Sequence, residues 1–153
     1  MGVFLFFMIR FGAIHRLIEN AKNLSADAVW IEAIDNDVQD EIIRLNTQEQ
    51  LFDQGIDSQG RSLGDYSNVS VEIYGKPAGH IRLYDTGHYY DSHKVIVDKT
   101  GFNITADDVS IYDEPLTQVW GEDIIGLTEE NLNSLKEWIL DNYLIYVKRE
   151  LLR

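Results

Sequence analysis

The strongest constraint on how this chain folds is a change of pattern at Gly55. Before it, Val38, Ile42, Leu45 and Phe52 recur at helical intervals. Asp35, Asp37, Asp40 and Glu41 crowd the start of that stretch, where the positive end of a helix favours carboxylates. The spacing predicts a long helix from about Asn36 to Gln54, stopped by Gly55, and a shorter one before it, roughly Ala13 to Leu24. Beyond Gly55, the run Asp57 to Asp65 is dense in turn formers and predicts a structured loop. Val69, Val71 and Ile73 then alternate as a half-buried strand requires. Ile81 with Leu83, Val95 with Val97, Ile104, and Val109 with Ile111 predict further short strands, separated by Gly75, Gly79, Gly87 and Gly101. A last helix is expected from Thr128, a good N-cap followed by Glu129 and Glu130, with Leu132, Leu135, Trp138, Ile139 and Leu144 in period to about Tyr146. Helices at both ends around short strands predict an α+β fold with a small, mostly antiparallel sheet.

With 153 residues, no internal repeat and no Pro-rich linker, residues 12–153 read as a single α+β domain. Residues 1–11 stand apart as an apolar arm or strand. The run Val3 to Ile9 carries no preceding basic stretch and no small-residue cleavage site, so no targeting signal is expected. It is also far short of the ~20 apolar residues of a membrane span, so no membrane partner is expected. A buried strand or an adhesive arm that docks on a neighbouring subunit fits it better. Met8 is an alternative natural start.

Charge narrows the partners. Lys and Arg number 13 against 26 Asp and Glu, a net charge of -13. That balance argues against sequence-independent nucleic-acid binding, which depends on neutralising phosphates. The surplus is uneven: residues 25–65 carry ten acids and two bases, whereas residues 1–24 carry three bases and one acid. The absence of cysteine excludes a disulfide framework, a thiol nucleophile and thiolate-ligated metals.

Few motifs invite chemistry. Asp85-Thr86-Gly87 is the tripeptide of aspartic proteases, and Ile124-Ile125-Gly126 echoes their apolar-apolar-Gly element. A homodimeric protease sharing a proton between two aspartates is therefore one alternative. The neighbours differ from that pattern, with Tyr84 before the aspartate and bulky His88 after the glycine. His80, His88 and His93, with His15 upstream, match no metal-ligand spacing, and exposed strand and turn histidines are expected. Asp53 to Asp65 lacks the Asp-x-Asp-x-Asp-Gly run of a calcium loop. No Gly-x-Ser-x-Gly elbow and no phosphate-cradling Gly-rich loop occurs. No metal and no cofactor is expected.

Three segments carry a resemblance. The first is Phe52-x-x-Gly55-x-Asp57-x-x-Gly60-x-x-Leu63 followed by Tyr66-Ser67. The second is Leu83-x-Asp85-Thr86-Gly87-x-Tyr89-x-x-Ser92. The third is Trp120-Gly121, then Ile124-Ile125-Gly126-Leu127-Thr128-x-x-Asn131. Their layout, over about residues 36–140, resembles the tail-completion or neck proteins of tailed bacteriophages, in the Mu-type virion-morphogenesis group. Leu63 stands where members often carry an aromatic residue. In this frame Gly55, Asp57, Gly60, Leu83, Asp85, Thr86, Gly87 and Ser92 shape loops and turns rather than catalyse.

The resemblance implies a non-catalytic structural protein of the virion, assembled in the host bacterial cytoplasm. It would form a homo-oligomeric ring at the head–tail junction, between the connector and tail proteins. DNA would pass through the ring without being bound specifically. Asp35, Asp37, Asp40 and Glu41 are then candidates to face the lumen, repelling DNA in transit. Alternatively the same charge only maintains solubility, or belongs to an acidic interaction protein that mimics DNA.

Overall fold

The computed structural model describes residues 2–108 and 115–153, with side chains from residue 12 onward. The expected strand of Val109 and Ile111 lies outside the described residues. Helix α1 runs Gly2–Asn23, so the apolar run is helical, not a strand, and is continuous with the shorter helix expected after it. A brief turn at Leu24 leads into α2, Ala26–Ala33, which the sequence reading missed. Ser25 caps it, its hydroxyl oxygen accepting from the Ala28 N–H at 3.2 Å.

Helix α3, Asn36–Arg44, is capped by Asp35, whose Oδ1 accepts from the Val38 N–H at 3.1 Å. It continues as a π-helix over Leu45–Gln54 and ends at Gly55, whose left-handed φ of 64° closes the expected long helix where anticipated. The wider π turn shifts the helical phase. Val38, Ile42 and Leu45 face the core as expected, but beyond them Leu51 is fully buried and Phe52 only half-buried.

Residues 55–93 form a looped middle with little regular structure. Val69, Val71 and Ile73, expected in a strand, lie in or beside the short helix α4, Asn68–Glu72. Ser67 caps it, and Val69 and Ile73 are 55% and 72% exposed. Alternating β-branched residues cannot hold a strand without a partner edge, and the Ser67 cap supplies a local alternative. Ile81 and Leu83 follow an isolated bridge between Asp65 and His80 and form no strand. Helix α5 is the single turn His88–Asp91.

The sheet is one antiparallel hairpin, β1 (Lys94–Asp98) with β2 (Gly101–Thr105), registered Val95↔Ile104 and Val97↔Phe102. Asp98 Oδ1 accepts from the Thr100 hydroxyl at 2.5 Å and from the Thr100 and Gly101 N–H groups across the turn, at 2.7 and 3.1 Å. These bonds, the hydroxyl's foremost, depress its pKa. Helix α6, Leu116–Trp120, and a 3₁₀ turn, Glu122–Ile124, precede α7, Glu129–Leu151. Thr128 caps α7 as expected, and the helix extends past Tyr146. The fold is α+β, with seven α-helices and one small antiparallel sheet among the described residues.

Two apolar clusters hold it together. In the first, α2, α3 and α7 bury Ala33, Ile34, Val38, Ile42, Leu45, Leu135 and Ile139. The hairpin lies on it through Val95, Val97, Phe102 and Ile104, the inward half of each strand's alternation. In the second, the π-helix, the middle loops and the segment before α7 contribute Leu51, Leu63, Ile81, Tyr89 and Ile124.

Candidate functional site

The second cluster joins the three motif-bearing segments. The first segment is shaped by Asp57, which is 3% exposed. Its Oδ1 accepts from the N–H groups of Gln59 and Arg61, both at 2.9 Å, and its Oδ2 accepts from Arg61 Nε at 2.7 Å. Gly60, at φ 72°, turns the chain so that its N–H reaches the Asp57 carbonyl. The loop returns to the helix end, where the Leu63 N–H bonds the Gly55 carbonyl at 2.8 Å.

That loop is clasped to the third segment. The Ser58 N–H donates to the Asp123 carbonyl at 2.8 Å, and Arg61 Nη2 donates to Asp123 Oδ2 at 2.5 Å. Bonding first to Asp57 and then to Asp123 raises the Arg61 pKa further above its ordinary value. Gly126 lies so close that an added Cβ would sit 3.1 Å from Ser58 Cβ. From the other side, Asn46 Nδ2 donates to the Ile124 carbonyl at 3.2 Å, and Gln50 Nε2 to the Gly126 carbonyl at 2.9 Å. Gln50 Oε1 accepts from the Thr128 N–H and from Asn131 Nδ2. Asn46, Gln50 and Asp123 escaped the sequence reading, whereas Ile124, Gly126, Thr128 and Asn131 belong to the third segment it singled out.

The second segment closes the remaining side. The Ile81 N–H donates to the Gly64 carbonyl at 2.8 Å, and the Phe52 and Tyr84 rings meet edge to face at 5.6 Å. Tyr90 Oη donates to the Arg82 carbonyl. Leu83 adopts φ 51°, a left-handed conformation rare for a branched residue. Asp85 is exposed and paired with Lys76 at 2.6 Å. Thr86 Oγ1 accepts from the His88 N–H at 3.3 Å, and Gly87, at φ 90°, turns into α5. Ser92 Oγ donates to the Tyr89 carbonyl at 2.7 Å and accepts from the Asp107 N–H at 2.9 Å. Thr86 and Ser92 thus fix local backbone, while Asp85 is held by a side chain.

The histidines are dispersed. His80 is half-buried, its Nε2 2.9 Å from the Phe52 carbonyl, and His88 Nε2 lies 3.1 Å from Asp107. His93, expected to be exposed, is buried under the Tyr89 ring, and desolvation lowers its pKa. Among the described residues no group of three or more His, Asp or Glu side chains is placed to hold a metal ion. No described helix is long and apolar enough to cross a membrane.

The acidic set divides in two. Asp35 is used structurally, capping α3 and accepting from Asn142 Nδ2 at 3.2 Å. Glu41 is bound by Arg44 through two bonds, at 2.7 and 2.8 Å, which lowers its pKa. Asp37 and Asp40 are exposed. No family model matches the chain, and neither a curated protein nor a solved structure matches it.

Proposed function

We propose that this protein is a structural, non-catalytic component of a tailed-bacteriophage virion, acting as a ring at the head–tail junction between connector and tail. The observation that carries this reading is the convergence of the three motif-bearing segments on one clasp. The residues that gave the resemblance help to lock loops together: Asp57, with Asp123 beside the third segment, on Arg61, Gly55 beneath His80, and Thr128 and Asn131 on Gln50. A rigid body that must hold its shape in an assembly needs such cross-links between distant segments.

The pairing of Asp85 with Lys76 and the turn it begins favour a structural role for Asp85-Thr86-Gly87. Asp37 and Asp40 are the acids of α3 best placed to meet DNA in transit, since Asp35 and Glu41 are engaged within the chain. Particle production in a host carrying the prophage with this gene deleted is the test. Filled heads and separate tails, rejoined by the supplied protein, are expected; infectious, joined particles without it would overturn the reading. Asp85→Ala is expected to complement the deletion as well as wild type, whereas loss of complementation with the fold intact would favour the protease.

A further inference from the structure

Helix α1 and the middle of α7 present two apolar surfaces that do not meet within one chain. Residues 12–18 of α1 are all exposed, including Ile14, Leu17 and Ile18 at 53, 39 and 48%. Ile14, Ile18 and Ala21 are spaced by four and three, and in the sequence Phe11, Phe7 and Phe4 continue that alternation backward. This is the repeat of a helix that lies along another apolar surface. The helix meets the body at its C-terminal end, where Asn20 Nδ2 donates to the Leu151 carbonyl at 3.1 Å.

The other surface lies about 18 Å further up α7, by the rise of a helix over twelve residues. Two adjoining hollows of about 500 and about 360 Å³ share Trp30, Lys136 and Ile139. Leu140, 56% exposed, and Tyr143 wall the outer one, while Phe102 and Ile104 of the hairpin wall the inner one. The hollows are lined mostly by apolar side chains, and Trp30 Nε1 is buried there without a hydrogen-bond partner among the described residues.

We infer that this groove receives α1 of a second copy of the chain, in a head-to-tail contact. Charge selects this occupant over an α1–α1 pair. Residues 1–24 carry three bases and one acid, so two such helices repel, while the rest of the chain holds 25 acids against 10 bases. Lys136 is the charged side chain that lines both hollows, while Glu137 and Asp141, exposed on α7, line neither. An α1 of 22 residues spans about 33 Å, enough to leave its own body and cross a neighbour's groove. A projecting element and a separate receiving surface on one chain form a heterologous interface, which closes into a ring when the rotation between copies allows. The inference rests on the ring reading for its biological setting but not for its geometry.

The test is sedimentation velocity on the full chain with two variants. One is Ile14→Asp with Ile18→Asp; the other is Leu140→Asp. All three positions are exposed, and circular dichroism reports whether the helices persist. Wild type is expected to self-associate, and each variant to do so about a hundredfold more weakly, because a carboxylate enters an apolar contact. Mixed, the two variants are expected to recover a dimer and go no further, since one supplies an intact α1 and the other an intact groove. A Leu140→Asp protein that assembles like wild type overturns the inference. A mixture that stays monomeric does so too, because the intact α1 of one variant then fails to enter the intact groove of the other. A wild type that is monomeric at every concentration overturns the helix exchange alone, leaving the head–tail reading to the particle test.

Discussion

Gln50 and Asn131, 81 positions apart, are joined inside the protein by a 3.0 Å hydrogen bond from Asn131 Nδ2 to Gln50 Oε1. The same oxygen accepts from the Thr128 N–H at 2.8 Å, and Gln50 Nε2 donates to the Gly126 carbonyl. One fully buried amide thus binds the π-helix to the start of α7. Every hydrogen-bonding direction of that side chain is used except one donor, which is why a polar residue is tolerated among Leu45, Leu51 and Ile124.

Replacing Gln50 by Leu keeps the volume close but strands two donors and a carbonyl. Unpaired buried groups cost about 1–3 kcal/mol each, and some will reach water, so we expect a loss of about 3 kcal/mol in urea unfolding. Asn131→Ala removes one of those contacts and should cost less than half as much. Equal losses for the two variants would show that the amide network is not centred on Gln50.

Asp57 organises its loop chiefly through backbone donors. Asp57→Ala leaves the Gln59 and Arg61 N–H groups without their acceptor, an expected loss of about 2–3 kcal/mol. Arg61→Ala keeps both backbone donors on Asp57 Oδ1 but takes the partner from its buried Oδ2, which the lost, mostly exposed side chain opens to water, so the expected loss is smaller, about 1 kcal/mol. Chemical denaturation of the two variants separates a turn nucleated by Asp57 from a loop held by the surface pair.

The readable parts of this fold are those with local chemistry. Thr128 before two glutamates announced α7, Gly55 announced the end of the long helix, and the alternation at Val95 and Val97 announced β1. Val69, Val71 and Ile73 have the same alternation but no partner edge, and pairing is a non-local property that a single stretch does not encode. The π-helix hid the burial of Leu51, because a phase drawn at 3.6 residues per turn selects Phe52 instead. Helix α2 is short, and its Ser25 cap is followed by apolar residues on more than one face. The clasp was legible only in halves: Asp57 and Gly60 announced a turn, but nothing near Asp123 announced that it would meet Arg61 across 62 positions.

His93 supplies a pH dependence whose sign follows from its surroundings. Nδ1 faces the Tyr89 carbonyl at 2.8 Å, so the ring proton sits on Nδ1, and Nε2 is buried without a partner among the described residues. Protonating Nε2 places a charge and an N–H where no acceptor lies, and burial accordingly lowers the pKa from 6.5. A group whose folded pKa is depressed binds more protons when unfolded. Its contribution to stability is therefore fully present above about 6.5 and is lost as pH falls through that value toward the folded pKa. Thermal melts should show declining stability below neutrality, and His93→Gln should flatten that part of the profile. An unchanged slope in the variant would assign the dependence to another group.

Gly55 and His80 give the sharpest test of the packing. At φ 64°, Gly55 holds a conformation that costs other residues about 1–2 kcal/mol. An added Cβ would also lie 2.5 Å from His80 Cδ2 and 2.8 Å from its Cβ, a contact that the ring cannot relieve by rotating while Nε2 stays on the Phe52 carbonyl. Gly55→Ala should therefore lose about 2–4 kcal/mol, the left-handed penalty and the overlap together. Because two of the three clashing atoms, Cδ2 and Cγ, belong to the ring, Gly55→Ala combined with His80→Ala should lose less than the two single variants added together, leaving the backbone penalty, the lost ring contact and the overlap with the Cβ that alanine keeps. A double-mutant cycle in urea reads this directly. Strict additivity would mean that the helix end and His80 do not press on one another, and the closure of the loop over Gly55 would need another cause.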